Sequence, residues 1–168
     1  CGWTGTLANG SRKSVNLHWR KPEYRKPEKV VENALSNGAL EWLGDRGISE
    51  TTATDCGIYV SEVYMPQSEE VKKAFVFPYY RDGELINAKY RSGKKEFRSE
   101  VGAERILYGL DDVKKGETPV ILVEGEMDKL SLWEAGFRNA VSVPDGAPPV
   151  NTKDYSSKFD FLNDERLK

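Results

Sequence analysis

The stretch that most constrains this chain is Pro119 to Asp128, PVILVEGEMD. Val120, Ile121, Leu122 and Val123 form a continuous apolar run, three of the four β-branched, and it stops abruptly at Glu124, Gly125, Glu126 and Asp128. A run of that length and composition reads as a short buried strand. The strand delivers carboxylates to its own C-terminal tip. Met127, Leu130, Leu132, Trp133 and Ala135 then recur at roughly helical spacing as far as Gly136, where a C-cap glycine is expected. A second apolar segment, Ala140 to Val143, closes at Pro144-Asp145-Gly146. The unit reads strand, helix, strand. In an open α/β sheet, groups at the C-terminal ends of strands face the crevice where ligands bind, so three acids there are placed to hold a divalent cation. Acids at a helix N-terminus also offset the macrodipole in proteins with no active site, so spacing alone leaves both readings open.

With 168 residues the chain is one domain or two small ones, long enough to bury a core. Its 38% apolar and 31% charged residues exclude a disordered chain, and no apolar run approaches the roughly 20 residues that span a bilayer. No membrane partner is expected. Cys1 and Cys56 are too few for a disulfide framework and point to a reducing compartment. The net charge of −2 hides an asymmetry. Lys and Arg outnumber acids seven to two from Ser11 to Lys29 and six to three from Arg81 to Arg98, whereas acids lead twelve to eight from Asp111 onward. A basic front and an acidic back suit a protein that tracks phosphates with one part and holds cations with another, although ordinary solvated faces give the same counts.

Residues 11 to 27, with Pro22, Pro27 and many bases, read as a linker or arm. His18 has no histidine or paired cysteine to help it hold a metal and is assigned no role. Pro27 can open a helix carrying Val30, Val31, Ala34 and Leu35 on one face. A second short helix is expected from Ala39 to Asp45, followed by a reversal at Gly47 and a helical turn capped by Ser49 that runs to Cys56. Alternating patterns over Ile58 to Met65, Ala74 to Tyr80 and Leu85 to Tyr90 give an antiparallel meander, with Asp82-Gly83 as a hairpin turn. Its last strand runs into Lys89, Arg91, Lys94, Lys95 and Arg98, with Tyr90 and Phe97 interleaved. These bases read either as phosphate contacts or as a solvated edge, and the aromatics as core or stacking surfaces.

The phrase VEGEMDKLSLWEAGFRNAVSVPDGAP resembles the opening of the TOPRIM fold as used by replicative DNA primases. ALEWLGDRGISETTATDCG, from Ala39 to Gly57, resembles the N-terminal part of the primase polymerase domain, and INAKYRSGKKEF resembles a basic segment of phage primase-helicases and their Twinkle relatives. Together with ILYGL, Ile106 to Leu110, the resemblance runs from about Ala39 to Pro148. It implies an α/β protein: an α+β N-terminal subdomain with the meander, followed by the first half of a TOPRIM βαβ sheet. Residues 1–10 would be the remnant of a zinc ribbon, with Cys1 an orphaned ligand, 11–27 a basic linker, 28–115 the primase N-terminal subdomain and 116–168 a partial TOPRIM domain.

Function follows from the same resemblance. The implied reaction is template-directed RNA primer synthesis by metal-dependent nucleotidyl transfer. Glu124 would be the catalytic acid, and Glu124, Glu126 and Asp128 the acids around Mg²⁺ or Mn²⁺. Lys89, Arg91, Lys94, Lys95 and Arg98 would contact nucleotide or nucleic-acid phosphates, with Lys89, Arg91 and Lys95 fitting best, and Asp145-Gly146 would shape the rim. Zn²⁺ would belong only to an intact parent. The implied partners are a single-stranded DNA template, ribonucleoside triphosphates and a replicative helicase, fused or separate. No P-loop occurs, so no ATPase motor lies in these residues. The family's later strand ending in Asp-x-Asp has no counterpart here, so the chain is expected to be a piece that is inactive alone. A non-catalytic TOPRIM nucleic-acid-binding protein is the alternative, and a TOPRIM nuclease or topoisomerase a less favoured one. The expected location is the cytoplasm of a bacterial or phage-infected cell, alternatively a mitochondrion or chloroplast.

Overall fold

The computed structural model describes residues 23–28, 32–114, 116, 119–146, 150–152 and 159–167. The expectations for Cys1, His18, Pro22, Val30 and Val31 lie outside the described residues. Two short helices come first, α1 (Asn37–Gly44) and α2 (Glu50–Asp55). Ser36 and Ser49 cap them, each hydroxyl accepting from the amide three residues on. Gly47, at φ 71°, makes the reversal between them.

Four antiparallel strands follow in sequence order: β1 (Tyr59–Met65), β2 (Glu70–Arg81), β3 (Glu84–Ser92) and β4 (Phe97–Ser99). The β2–β3 hairpin turns on Asp82 and Gly83, both at positive φ as a type I′ turn requires, and the Asp111 carboxylate accepts from both of their amides at 2.8 Å. Pro78 sits inside β2 without breaking the sheet because β1 pairs with β2 only as far as Val76, so no ladder bond is asked of the missing N–H.

The strand-helix-strand unit is β5 (Ile121–Val123), α3 (Glu126–Glu134) and β6 (Ala140–Ser142), with β5 and β6 parallel. Tyr108 adds an antiparallel bridge to Ser142. Along β2, Phe75, Phe77 and Tyr79 point to one face and Ala74 and Val76 to the other. The first face packs into a core with Leu43, Ile48, Ala53, Tyr108, Leu130 and Val141, which joins α1, α2, α3 and β6 to the meander. The second face closes a smaller cluster with Val63, Met65, Ala88 and Tyr90. Among the described residues, no helix is long and apolar enough to cross a membrane.

Two expectations need correction. The residues of the proposed helix after Pro27 that are described are extended: Asn33 exchanges two backbone hydrogen bonds with Val60, and Leu35 packs on the core. The open edge of β1 supplies partners there that a helix would have to provide for itself. The basic segment after β3 also contains a further strand, β4, whose pairing of Lys89 with Ser99 and Arg91 with Phe97 the alternation did not reveal.

Candidate active-site pocket

Because β5 and β6 are parallel, their C-terminal ends lie side by side. The loop after β5 carries Glu124 and Gly125, and the loop after β6 carries Pro144, Asp145 and Gly146. Gly125 is the N-cap of α3. Its amide donates to Asp128 Oδ2 at 3.0 Å, and a Cβ on Gly125 would stand 3.3 Å from that oxygen, so the close approach favours glycine. The β3–β4 hairpin lies across this end. The result is a cavity of about 620 Å³ lined by Lys89, Phe97, Arg98, Ser99, Glu124, Gly125, Glu126, Asp128, Pro144, Asp145 and Gly146.

Glu126 is buried, and its Oε1 accepts from the Tyr79 hydroxyl at 2.5 Å and from Lys89 Nζ at 2.8 Å. Lys89 Nζ also donates to the Pro144 carbonyl at 2.9 Å, which ties the meander to the β6 loop. Burial pushes the Tyr79 phenol well above its ordinary pKa, and the Glu126 charge adds to the shift, so the hydroxyl stays a donor. Arg105 reaches Asp145 at 3.5 Å on the rim.

The cavity thus gathers Glu124, Glu126, Asp128, Lys89 and Arg98, with Asp145 and Gly146 on its border. Arg91, Lys94 and Lys95 do not line it. Lys94 and Lys95 are exposed in the β3–β4 turn, where Lys95 adopts φ 61°. Arg91 is buried beneath α1, its guanidinium 4.4 Å from the Trp42 ring centroid, and its Nη1 has no hydrogen-bond partner among the described residues. Desolvation, and then the neighbouring Arg46, lowers its pKa. Tyr79 carries no sequence signal, since it sits in an apolar strand where any aromatic would serve the pattern.

The donor set does not by itself fit a divalent cation. Among the described residues no three His, Cys, Asp or Glu side chains gather at metal-holding distance. Glu126 is matched by Lys89, and Asp128 by the Gly125 amide.

No protein-family model matches the chain. Two Arabidopsis thaliana proteins do. A Twinkle homolog protein, chloroplastic/mitochondrial, is 51% identical over 92 residues, which is 51% of this chain and 13% of that protein. A primase homolog protein is 46% identical over 100 residues, 55% of this chain and 29% of that protein. The chain therefore spans less than a third of either relative. In fold it is similar to the primase fragment of the bacteriophage T7 primase-helicase, with a TM-score of 0.54 at 24% identity, covering 76% of this chain and 52% of that one. It is also similar to a DnaG primase catalytic domain bound to single-stranded DNA, with a TM-score of 0.51 at 16% identity, covering 75% and 53%. The architecture is an α/β primase fold. In sequence the chain is thus similar to a Twinkle homolog and a primase homolog, and in fold to primase domains.

Proposed function

We propose that these residues form the phosphate-clamping part of a primase polymerase site, in a protein that makes RNA primers on single-stranded DNA. The observation that carries this reading is the convergence of two separately recognised stretches, the basic β3–β4 hairpin and the Glu124 strand tip, on one cavity. Lys89 and Arg98 hold the triphosphate of a ribonucleotide through charge-assisted hydrogen bonds. Glu124 is the carboxylate that takes the proton from the 3′ hydroxyl as its oxygen bonds the α-phosphorus of the held triphosphate and the bond to the leaving pyrophosphate breaks. The divalent cation that the resemblance implies lacks a complete donor set among the described residues. Residues 28–115 then serve as the N-terminal subdomain of the polymerase unit and 116–168 as its TOPRIM part. The Twinkle homolog's name favours an organelle as the location over a bacterial cytoplasm, and a replicative helicase is the proposed partner.

The test is Glu124→Gln in the primer-synthesising protein that carries these residues. Template-directed ribonucleotide incorporation should fall to near background while thermal stability is unchanged. Incorporation near the parental rate would remove Glu124 from the reaction.

A further inference from the structure

We infer that Tyr79 is a positioning residue for this site: its hydroxyl holds the Glu126 carboxylate, and Glu126 aims the Lys89 ammonium into the cavity as a clamp for a triphosphate. The inference rests on the reading of the cavity given above and deepens it. Register makes the arrangement possible. On the paired strands Phe77 faces Lys89 and Tyr79 faces Asn87, so Tyr79 and Lys89 are diagonal neighbours on the sheet face that meets α3. Their polar ends converge on one atom, Glu126 Oε1, at 2.5 and 2.8 Å.

Packing alone does not ask for a tyrosine here. The Tyr79 ring lies 5.2 Å from the Tyr108 ring and is 1% exposed, a slot that phenylalanine fills equally well. A hydroxyl buried that deeply is costly unless bonded, and here its partner is a carboxylate, the stronger kind of acceptor. Lys89 has three N–H donors. Glu126 Oε1 takes one and the Pro144 carbonyl another, which leaves the third donor for a ligand in the cavity that Lys89 lines. Glu126 is thereby assigned to the lysine and not to a cation, which departs from the role its spacing suggested.

A double-mutant cycle on the full 168-residue chain tests this. Binding of a ribonucleoside triphosphate is measured by calorimetry for the unaltered chain, Tyr79→Phe, Lys89→Ala and the double variant. Removing one hydrogen bond to a charged group should weaken binding about tenfold in Tyr79→Phe, and the same change in the Lys89→Ala background should cost nothing. A purely structural tyrosine would cost the same in both backgrounds, and that result overturns the inference alone. Failure of the unaltered chain to bind a triphosphate overturns the reading of the cavity as well. In parallel, Mn²⁺ binding followed by electron paramagnetic resonance should be unchanged by Glu126→Gln, whereas a weakened Mn²⁺ titration would return Glu126 to the cation ligands. If Tyr79→Phe does not fold, the cycle with Glu126→Gln in its place carries the test, and equal losses in both backgrounds refute the link to Lys89.

Discussion

Asp112→Ala should destabilise the fold far more than a change at a partly exposed carboxylate ordinarily does. Lys129 in α3 is 1% exposed, and its ammonium lies 2.6 Å from Asp112 Oδ2, 3.3 Å from Cys56 Sγ and 4.0 Å from the centroid of the Trp133 ring. Of these three partners only Asp112 carries a full opposite charge. Breaking a buried pair by removing one member costs about 3–5 kcal/mol, because the other charge is left buried and unmatched. The Asp112 side chain keeps 28% of its exposure, so water already screens part of the pairing and the lower end, about 3 kcal/mol, applies. For a chain of this size that is a fall in Tm of about 6–12 °C. The assay is thermal unfolding followed by circular dichroism at pH 7. Adding Lys129→Met to Asp112→Ala should recover most of the loss, since a neutral side chain of similar volume no longer needs a counter-charge. A fall below about 2 °C in the single variant, or no recovery in the double, would refute the reasoning.

Lys89→Ala should weaken triphosphate binding about tenfold and lower the salt slope of single-strand binding by about 0.7, as expected for one lost phosphate contact, while Lys95→Ala changes neither. Equal effects of the two, read in a salt titration, would show that the charge of the hairpin matters and the cavity does not. The Glu96 carboxylate is held down to a pKa of about 2, first by the Ser92 hydroxyl, with Lys72 adding to the shift. Its contribution to the β3–β4 hairpin is therefore fully present above the ordinary value of 4.5 and is lost as pH falls through about 2. Ser92→Ala should move that loss to higher pH, measurable from the Glu96 side-chain carbonyl shift in an NMR pH titration.

The strand-helix-strand unit was legible because each of its parts carries a local signal: a β-branched run for β5, helical spacing for α3, and Gly136 at positive φ where the helix stops. The meander was legible for the same reason, and Asp82-Gly83 placed its tightest turn. Contacts between distant segments were not. Val60 decides that Asn33 is extended, and no pattern in either segment records the other. The spread of bases from Lys89 to Arg98 looked uniform, yet the register puts Lys89 and Arg98 at the cavity, buries Arg91 against Trp42 and leaves Lys94 and Lys95 in solvent. Spacing likewise grouped Glu124, Glu126 and Asp128 as equals. The Gly125 amide singles out Asp128 within the first turn of α3, but Lys89 reaches Glu126 only because the two sheets meet.

The claim that the two stretches build one phosphate-binding cavity is tested most directly by photo-crosslinking an azido-ribonucleoside triphosphate to the 168-residue chain and mapping the adducts by mass spectrometry. Adducts should form in both the β3–β4 hairpin, residues 84–99, and the β5–β6 loops, residues 121–146, each suppressed by unlabelled triphosphate. Adducts confined to the separate pocket lined by Cys56, Pro78, Tyr108 and Lys129, or labelling that unlabelled triphosphate does not displace, would contradict it.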